Sequence, residues 1–333
     1  MKRSTTFKIS IKSLLTGVAL TLFTPMLFAQ NSLTIYTSQP TEDAQQTVAA
    51  FNQHYPDIKV NWIRDGTTKL MARLQAEQAA GAASPDLLLI ADSVTMEALK
   101  AQGLLEAYLS PEAKGYEAAL YDPEGYYYGT KLITTGIAYH QQAPIKPTSW
   151  KDLTRPEVKN MVTMPSPLYS GAALIHLSTL TNNPELGWQY YADLKQNGVM
   201  PQGGNGAVVS ALAAGNQAYG VLVDYMAYRE KAKGAPIEFL FPKEGVSLVT
   251  EPVAMLKEAP NKAAAKQFID FVLSKEGQEL VLKQGYLPAH SALGVPAGFP
   301  AREEIILMNF DAAKALKDSE SDKARFTELF GAQ

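Results

Sequence analysis

Small and hydroxyl-bearing residues form a turn in this sequence whose composition suits the binding of an anion. Ser170, Gly171, Ala172 and Ala173 open an apolar segment whose spacing predicts a helix. Because Gly and Ala carry almost no side chain, an anion can approach the free backbone N–H groups at such a helix start. An ordinary Ser N-cap with small residues packed against a strand accounts for the same pattern. The turn therefore predicts an anion site or a tightly packed helix start.

Two further turns in the same half of the chain carry polar residues. Gly203-Gly204-Asn205-Gly206 precedes a predicted helix, and its glycines allow backbone amides to reach a ligand, although a lone glycine-rich turn is weak evidence. Asp224 and Tyr225 follow an apolar strand over residues 218–223. The Asp224 carboxylate is suited to accept hydrogen bonds from ligand hydroxyls or an amine, or to cap the next helix. Glu244 is a second acidic candidate.

The first half of the chain repeats a strand followed by a polar turn and a helix. Strands are predicted over residues 33–37, 58–63 and 87–90. Ligands of open α/β sheets bind outside the carboxyl ends of the strands, so the turns should converge on one crevice. Helix capping is the competing role for each of these side chains. The candidate site residues of this half are Thr37, Ser38, Gly66, Thr67 and Asp92.

Alternating strands and amphipathic helices predict an α/β fold with mixed, mostly parallel sheets. The length suffices for two domains of ordinary size. We expect one lobe from residues 30–130 and about 245–333, and a second lobe from about 131–244.

The residue types give little support to catalysis. The four histidines, His54, His140, His176 and His290, are scattered and form no His-x-x-x-His metal pair. The sequence contains no Gly-x-Ser-x-Gly elbow and no phosphate-binding Lys loop. We therefore expect a binding protein without a cofactor or a resident metal, and keep a periplasmic enzyme as a remote alternative.

The N-terminus predicts export. Four basic residues, Lys2, Arg3, Lys8 and Lys12, precede an apolar stretch over residues 14–28 and a small residue, Ala29. This order is typical of a cleaved signal peptide, here residues 1–29. The chain contains no Cys, so we expect neither a lipid anchor nor disulfides. Export without a tether favours a Gram-negative periplasm, with true secretion as the alternative. We also expect a monomer.

Net charge limits the possible partners. Removal of the leader leaves 26 basic against 33 acidic side chains, a net charge of −7. Such a chain is a poor nucleic-acid binder, so an anion must be held by local groups rather than by the overall field.

The sequence resembles the type II periplasmic solute-binding proteins of ABC importers, in the branch of ferric-ion, phosphonate and hexose-phosphate binders. The resemblance implies two α/β lobes that are joined by a two-strand hinge, close on a solute and present it to an inner-membrane permease. It rests on the segment 33–38, Asn61-Trp62-Ile63-Arg64-Asp65, Leu70 with Leu74, Pro85-Asp86-Leu87-Leu88, the segment 263–277 and Gly285-Tyr286-Leu287-Pro288.

One departure from the family bears on the ligand. Ferric binders of this branch carry an adjacent Tyr pair where this chain reads Asp224-Tyr225-Met226. Trivalent iron prefers phenolate and carboxylate oxygens, so the loss of this pair disfavours iron. By resemblance, Asp224 and Glu244 would hold the sugar or amine part of a phosphonate or organophosphate, and residues 170–172 would bind its phosphoryl oxygens. A ferric-ion binder is the alternative.

Overall fold

A computed structural model describes Met1 and residues 32–82 and 85–331. The predicted signal peptide and its cleavage point after Ala29 lie outside the described residues. Within the described ranges, no helix is both long and apolar enough to cross a membrane.

The described residues form 13 strands and ten α-helices. The strands are β1 (Ser32–Thr37), β2 (Lys59–Arg64), β3 (Leu87–Leu89), β4 (Leu105–Glu106), β5 (Tyr127–Gly129), β6 (Lys131–His140), β7 (Val162–Met164), β8 (Met200–Pro201), β9 (Tyr219–Val223), β10 (Ile237–Leu240), β11 (Ser247–Val249), β12 (Pro252–Leu256) and β13 (Leu287–Pro288). The helices are α1 (Thr41–His54), α2 (Thr67–Ala79), α3 (Ser93–Ala101), α4 (Gly171–Thr181), α5 (Gly187–Gln196), α6 (Asn205–Ala213), α7 (Asp224–Ala232), α8 (Lys262–Leu273), α9 (Lys275–Lys283) and α10 (Ala312–Phe330).

The first sheet has the order β2-β1-β3-β12-β4, with β5 also paired to β12. Its central strand β3 is buried on both faces, as its uninterrupted Leu87-Leu88-Leu89 run predicts. Leu87 and Leu89 pack into one core together with Phe51 and Phe268, whereas Leu88 packs into the core on the opposite face. Helices therefore cover both sides of this sheet.

The second sheet has the order β10-β6-β9-β7-β8, and β11 and β13 also pair with β6. Its core contains the fully buried Trp150 together with Ile137, Val162 and Leu177. The predicted α/β fold with mixed sheets is confirmed. Parallel pairs are, however, a minority of the pairings in the described residues, because the long strands β6 and β12 run antiparallel to their neighbours.

Two of the crossings between the sheets run from β5 to β6 and from β11 to β12. The two crossings lie side by side: the amides of Thr130 and Lys131 donate to the Thr250 carbonyl at 2.9 and 3.2 Å. The Thr130 hydroxyl also donates to the Glu251 carbonyl at 2.8 Å. The chain segments around Thr130 and Thr250 therefore form a two-strand connection between the halves of the fold.

Helix α10 contacts elements of both halves. It packs against α3, which follows a strand of the first sheet, and against α4 and α5 beside the second sheet. Its Phe326 and Phe330 belong to the core of the second sheet. We therefore keep the assignment of residues 245–333 to the first lobe only as a proposal.

Candidate functional site

A cavity of about 350 Å³ lies between the two sheets, beyond the ends of their parallel strands. Both halves of the chain contribute to its walls. Its lining residues are Ser38, Pro40, Arg64, Gly66, Thr67, Ala91, Ile133, Tyr169, Ser170, Gly171, Ala172, Gly203, Gly204, Asn205, Gly206, Ala207, Val223, Tyr225, Met226 and Glu251.

Five helices begin at this cavity. The lining includes residues of the first turn or the cap of α1, α2, α4, α6 and α7, where Pro40, Gly66, Ser170, Gly204 and Val223 are the N-caps. The first N–H groups of a helix have no partner within that helix, and the helix dipole makes this end partly positive. The cavity wall is therefore rich in backbone donors and favours negative charge.

Glycine allows the two halves to touch beside the cavity. A Cβ at Gly171 would stand 2.6 Å from the Ala91 carbonyl oxygen and 2.8 Å from the Thr67 hydroxyl. A Cβ at Gly66 would stand 2.5 Å from the carbonyl oxygen of Tyr169. Any larger residue at these positions would have to push the segments apart. The structure is thus closed around the cavity, with backbone against backbone.

The hydroxyl and amide side chains of the lining are partly engaged in local hydrogen bonds. Ser38 Oγ accepts from the Ala91 amide at 2.9 Å, and Ser170 Oγ accepts from the Ala173 amide at 3.3 Å. Asn205 Oδ1 accepts from the Val223 amide at 3.2 Å. These bonds hold the turns in place, so capping and lining the cavity are compatible roles.

Thr67 differs from these residues. Its side chain is buried, and its Oγ1 has no hydrogen-bond partner among the described residues. A buried hydroxyl without a partner costs free energy unless a ligand or water supplies the bond. Thr67 is therefore a strong candidate for ligand contact.

Two charged side chains line the cavity. Arg64 lies at its exposed edge, where its Nε donates to the Gln39 carbonyl at 3.0 Å. Glu251 lies on the connection between the sheets and is ion-paired with the buried Lys131 at 2.5 Å. The guanidinium is the cationic group of the lining, because the Glu251 charge is compensated by Lys131.

Eight of the twelve residues predicted from the sequence line this cavity. The structure brings together Ser38, Gly66, Thr67, Ser170, Gly171, Ala172, Asn205 and Tyr225. The remaining four, Thr37, Asp92, Asp224 and Glu244, are absent from the lining.

These four side chains have structural partners instead. Thr37 Oγ1 accepts from the Gln39 amide at 3.1 Å, and Asp92 caps α3 by accepting from the amides of Val94 and Thr95. Glu244 accepts from the Ser149 hydroxyl and, at 3.4 Å, from the Trp150 amide. The Asp224 carboxylate accepts from both the amide and the hydroxyl of Thr134, at 2.9 and 2.7 Å.

Three lining residues with polar or charged side chains were not singled out from the sequence: Arg64, Tyr169 and Glu251. Arg64 ends strand β2 directly before the predicted Gly66 turn, so its position in the strand-turn-helix pattern was the available signal. Tyr169 lies next to Ser170. Glu251 has no comparable local signal, because its place depends on the long-range pairing of β11 with β6 and of β12 with β3.

The histidine of helix α4, His176, is absent from the cavity lining. His176 is buried in the second half of the fold, with its Nδ1 3.0 Å from Ser247 Oγ and its ring against Trp150. Burial lowers the pKa of His176 to about 3, so the ring is neutral near pH 7. Its environment is that of a packed core residue.

Comparison with known proteins identifies the family. Residues 82–316 match the model of the family described as bacterial extracellular solute-binding protein. The chain belongs to that family. It is a solute-binding protein rather than an enzyme, and its fold is that of the type II periplasmic binding proteins.

Two relatives and one solved structure are similar to most of this chain. This solute-binding protein is 30% identical over 306 residues to an uncharacterized protein of Haemophilus influenzae, covering 86% of each chain. It is 24% identical over 278 residues to iron uptake protein A1 of Synechocystis, covering 77% of this chain and 75% of the relative. The periplasmic binding protein AfuA from Actinobacillus pleuropneumoniae, with fructose-6-phosphate bound, has a similar structure with a TM-score of 0.82 at 24% identity, covering 91% of this chain and 99% of AfuA.

Asp224 provides a test of its structural role. Burial raises the pKa of its carboxyl to about 6, and the hydrogen bonds from Thr134 and the Tyr225 amide only partly oppose this. Between the ordinary pKa of 3.8 and the raised pKa of about 6, the Asp224 carboxyl is therefore mostly protonated in the folded state and mostly ionised in the unfolded state. The contribution of Asp224 to stability is present below that value and decreases as the pH rises toward 6.

We expect the free energy of unfolding of the wild type, relative to Asp224→Asn, to fall by about 3 kcal/mol between pH 3.5 and pH 7. The amide does not titrate, so the comparison isolates this carboxyl. Urea unfolding of both proteins across this pH range measures the difference. A difference that does not change with pH would contradict the assignment of the buried carboxyl.

Proposed function

We propose that this protein captures a small solute carrying a phosphoryl group, an organophosphate or a phosphonate, in the cavity between its sheets. It delivers the solute to an inner-membrane ABC permease, and it acts in the periplasm after cleavage of its signal peptide. The observation that carries the proposal is the convergence of five helix starts on one cavity. A phosphoryl group presents several negative oxygens, which suit several converging donors at once.

Local electrostatics explains how an acidic protein binds an anion. Each helix start stabilises nearby negative charge by about 0.3–1 kcal/mol, and more where the site is partly buried. Arg64 adds one full positive charge at the edge of the cavity. The unpartnered Thr67 hydroxyl adds a donor that gains a bond when an oxygen is bound. These groups act at short range, so the unfavourable net charge of the chain has little effect inside the site.

The size of the cavity agrees with a small solute. A volume of about 350 Å³ lies at the lower end of typical ligand sites and suits a phosphoryl group with a short polar body. The similar structure of AfuA with bound fructose-6-phosphate supports this ligand class by analogy.

Closure of two lobes supplies the mechanism of capture. In this proposal, residues 30–130 and about 245–333 move relative to residues 131–244 about the paired crossings at Thr130 and Thr250. The contacts of Gly171 with Ala91 and Thr67 belong to the closed state. A solute that touches both halves stabilises this state by its differential contacts and so shifts the equilibrium toward it.

Ferric iron is the second candidate solute. Two phenols, Tyr169 and Tyr225, line the cavity, and the relative from Synechocystis is named for iron uptake. Burial raises the pKa of Tyr225, so this phenol is neutral near pH 7 in the metal-free protein. Within the described residues, no three His, Cys, Asp or Glu side chains form a cluster suited to a metal ion. The donor set therefore favours an anion.

The primary test is a ligand panel. The melting temperature of the mature protein is measured with inorganic phosphate, alkylphosphonates, sugar phosphates, sulfate and ferric citrate. A phosphoryl compound at 100 times its Kd should stabilise the fold by about 2.7 kcal/mol, whereas sulfate and ferric citrate should have little effect. Stabilisation by ferric citrate alone would favour the iron alternative.

Gly171→Val should weaken capture of the best phosphoryl compound by about tenfold or more, because overpacking costs about 1–3 kcal/mol. The added side chain would meet Ala91 and Thr67 and hold the cleft open. Gly294→Val is the matched control, since a Cβ at Gly294 meets no atom within 4 Å. Isothermal titration calorimetry measures both affinities. Unchanged affinity in Gly171→Val would argue against the closed cavity as the site.

Arg64→Gln should weaken phosphoryl binding by about tenfold, because a hydrogen bond to a charged group contributes about 1.5–3 kcal/mol. Arg155→Gln makes the same change of charge at an exposed position that pairs with Glu157 rather than lining the cavity. Calorimetric titration should show a normal Kd for this control. Equal losses in both variants would show that only the overall charge matters.

A further inference from the structure

Glu251 is an acceptor in a cavity whose other polar groups are mainly donors. It lines the cavity where the chain returns from the second sheet to the first, and 2% of the residue is exposed. The surrounding helix starts offer N–H groups, and Arg64 and Thr67 offer side-chain donors. A solute that fills this cavity therefore meets one carboxylate among many donors.

The two oxygens of this carboxylate have different environments. Oε2 is ion-paired with the Lys131 ammonium at 2.5 Å and accepts from Gln39 Nε2 at 3.2 Å. Among the hydrogen bonds formed by the described residues, none goes to Oε1. One oxygen is thus committed to the fold, and the other has free acceptor capacity in a residue that lines the cavity.

The backbone of Glu251 supports a role for its side chain. Its φ is 41°, in the left-handed region that favours glycine. A residue with a side chain is held there at a cost in free energy, and such residues cluster at functional sites. Glycine would fit this backbone with less strain, so the carboxylate itself is the feature that needs an explanation.

The ion pair with Lys131 determines which kind of ligand group can donate a hydrogen bond to the Glu251 carboxylate. The ammonium is buried beside the carboxylate, so the pair is neutral overall. A second cation would gain little attraction from a neutral pair and would lose its hydration on entering the cavity. A neutral hydroxyl can donate to Oε1 without that penalty.

We propose that Glu251 is a specificity-determining residue whose Oε1 accepts a hydrogen bond from a hydroxyl of the solute. The cavity then selects phosphoryl compounds that carry a hydroxyl over those with an alkyl or an ammonium group at the same place. This inference rests on the proposed function, because it assumes that a phosphoryl group occupies the helix starts.

Three probes of nearly equal size test the selection: propylphosphonate, 2-hydroxyethylphosphonate and 2-aminoethylphosphonate. Titration calorimetry of the wild-type protein should show that the hydroxyl compound binds about tenfold more tightly than the alkyl compound. The amino compound should bind more weakly than the hydroxyl compound. This ranking tests the proposal without any substitution.

The double variant Lys131→Met/Glu251→Met removes the acceptor together with its partner and so leaves no unpaired buried charge. It should bind the hydroxyl and alkyl compounds with equal affinity, so the tenfold ratio between their two Kd values should disappear. The matched control is Lys262→Met/Glu106→Met, which removes a surface ion pair of 3.0 Å. This control should keep the wild-type ranking.

The outcomes separate the two proposals. Equal binding of the three probes by the wild type, tighter binding of the amino compound, or a hydroxyl preference that survives in the Lys131/Glu251 variant would overturn the role of Glu251 alone. Failure of all three probes to bind, together with failure of the sugar phosphates, would overturn the phosphoryl specificity itself and this inference with it.

Discussion

The whole site depends on the edge of each sheet at which parallel strands end. Strands β1 and β2 in the first sheet, and β7, β8 and β9 in the second, each precede a helix that begins at that edge. Parallel pairing places these turns next to one another, so the helix starts cannot be dispersed over the surface. The two edges then face each other because the paired crossings join the sheets beside them. An anion-favouring cavity follows from topology before any side chain is chosen.

This constraint explains which parts of the site can be predicted from sequence. Gly66, Ser170 and Asn205 lie where a turn after a strand leads into a helix, and that local pattern suffices to bring them to the cavity. It does not decide which way a side chain points. Thr37 and Asp92 occupy equivalent turns, yet their oxygens bind amides of their own turn. Capping and ligand contact use the same residue types, and only the folded geometry separates them.

The acidic residues show most clearly which part of the site cannot be predicted from the sequence. Asp224 and Glu244 were expected from resemblance to contact the solute, but their oxygens are satisfied by Thr134 and by Ser149, which are distant in sequence. Glu251 lines the cavity instead, because antiparallel pairing of β11 and β12 with strands of different sheets returns the chain at that point. No local pattern encodes such pairing. The overall α/β architecture was predictable because it depends on periodicity, whereas the choice among carboxylates depends on long-range partners.

The same atoms close the cleft and line the cavity. Gly171 contributes to the helix start that faces the solute, and its lack of a side chain also allows α4 to lie against Ala91 and Thr67 of the other half. Thr67 in turn has a buried hydroxyl without a partner in the closed structure. Closure without a solute therefore leaves a donor unsatisfied, and closure with a suitable solute supplies its bond. A ligand shifts a conformational equilibrium only by the difference between its binding free energies for the two states. A donor that is unsatisfied in the empty closed state and satisfied in the ligand-bound one therefore couples recognition to closure. In the proposed mechanism, the unsatisfied Thr67 hydroxyl therefore disfavours closure around an empty cavity relative to closure around a solute.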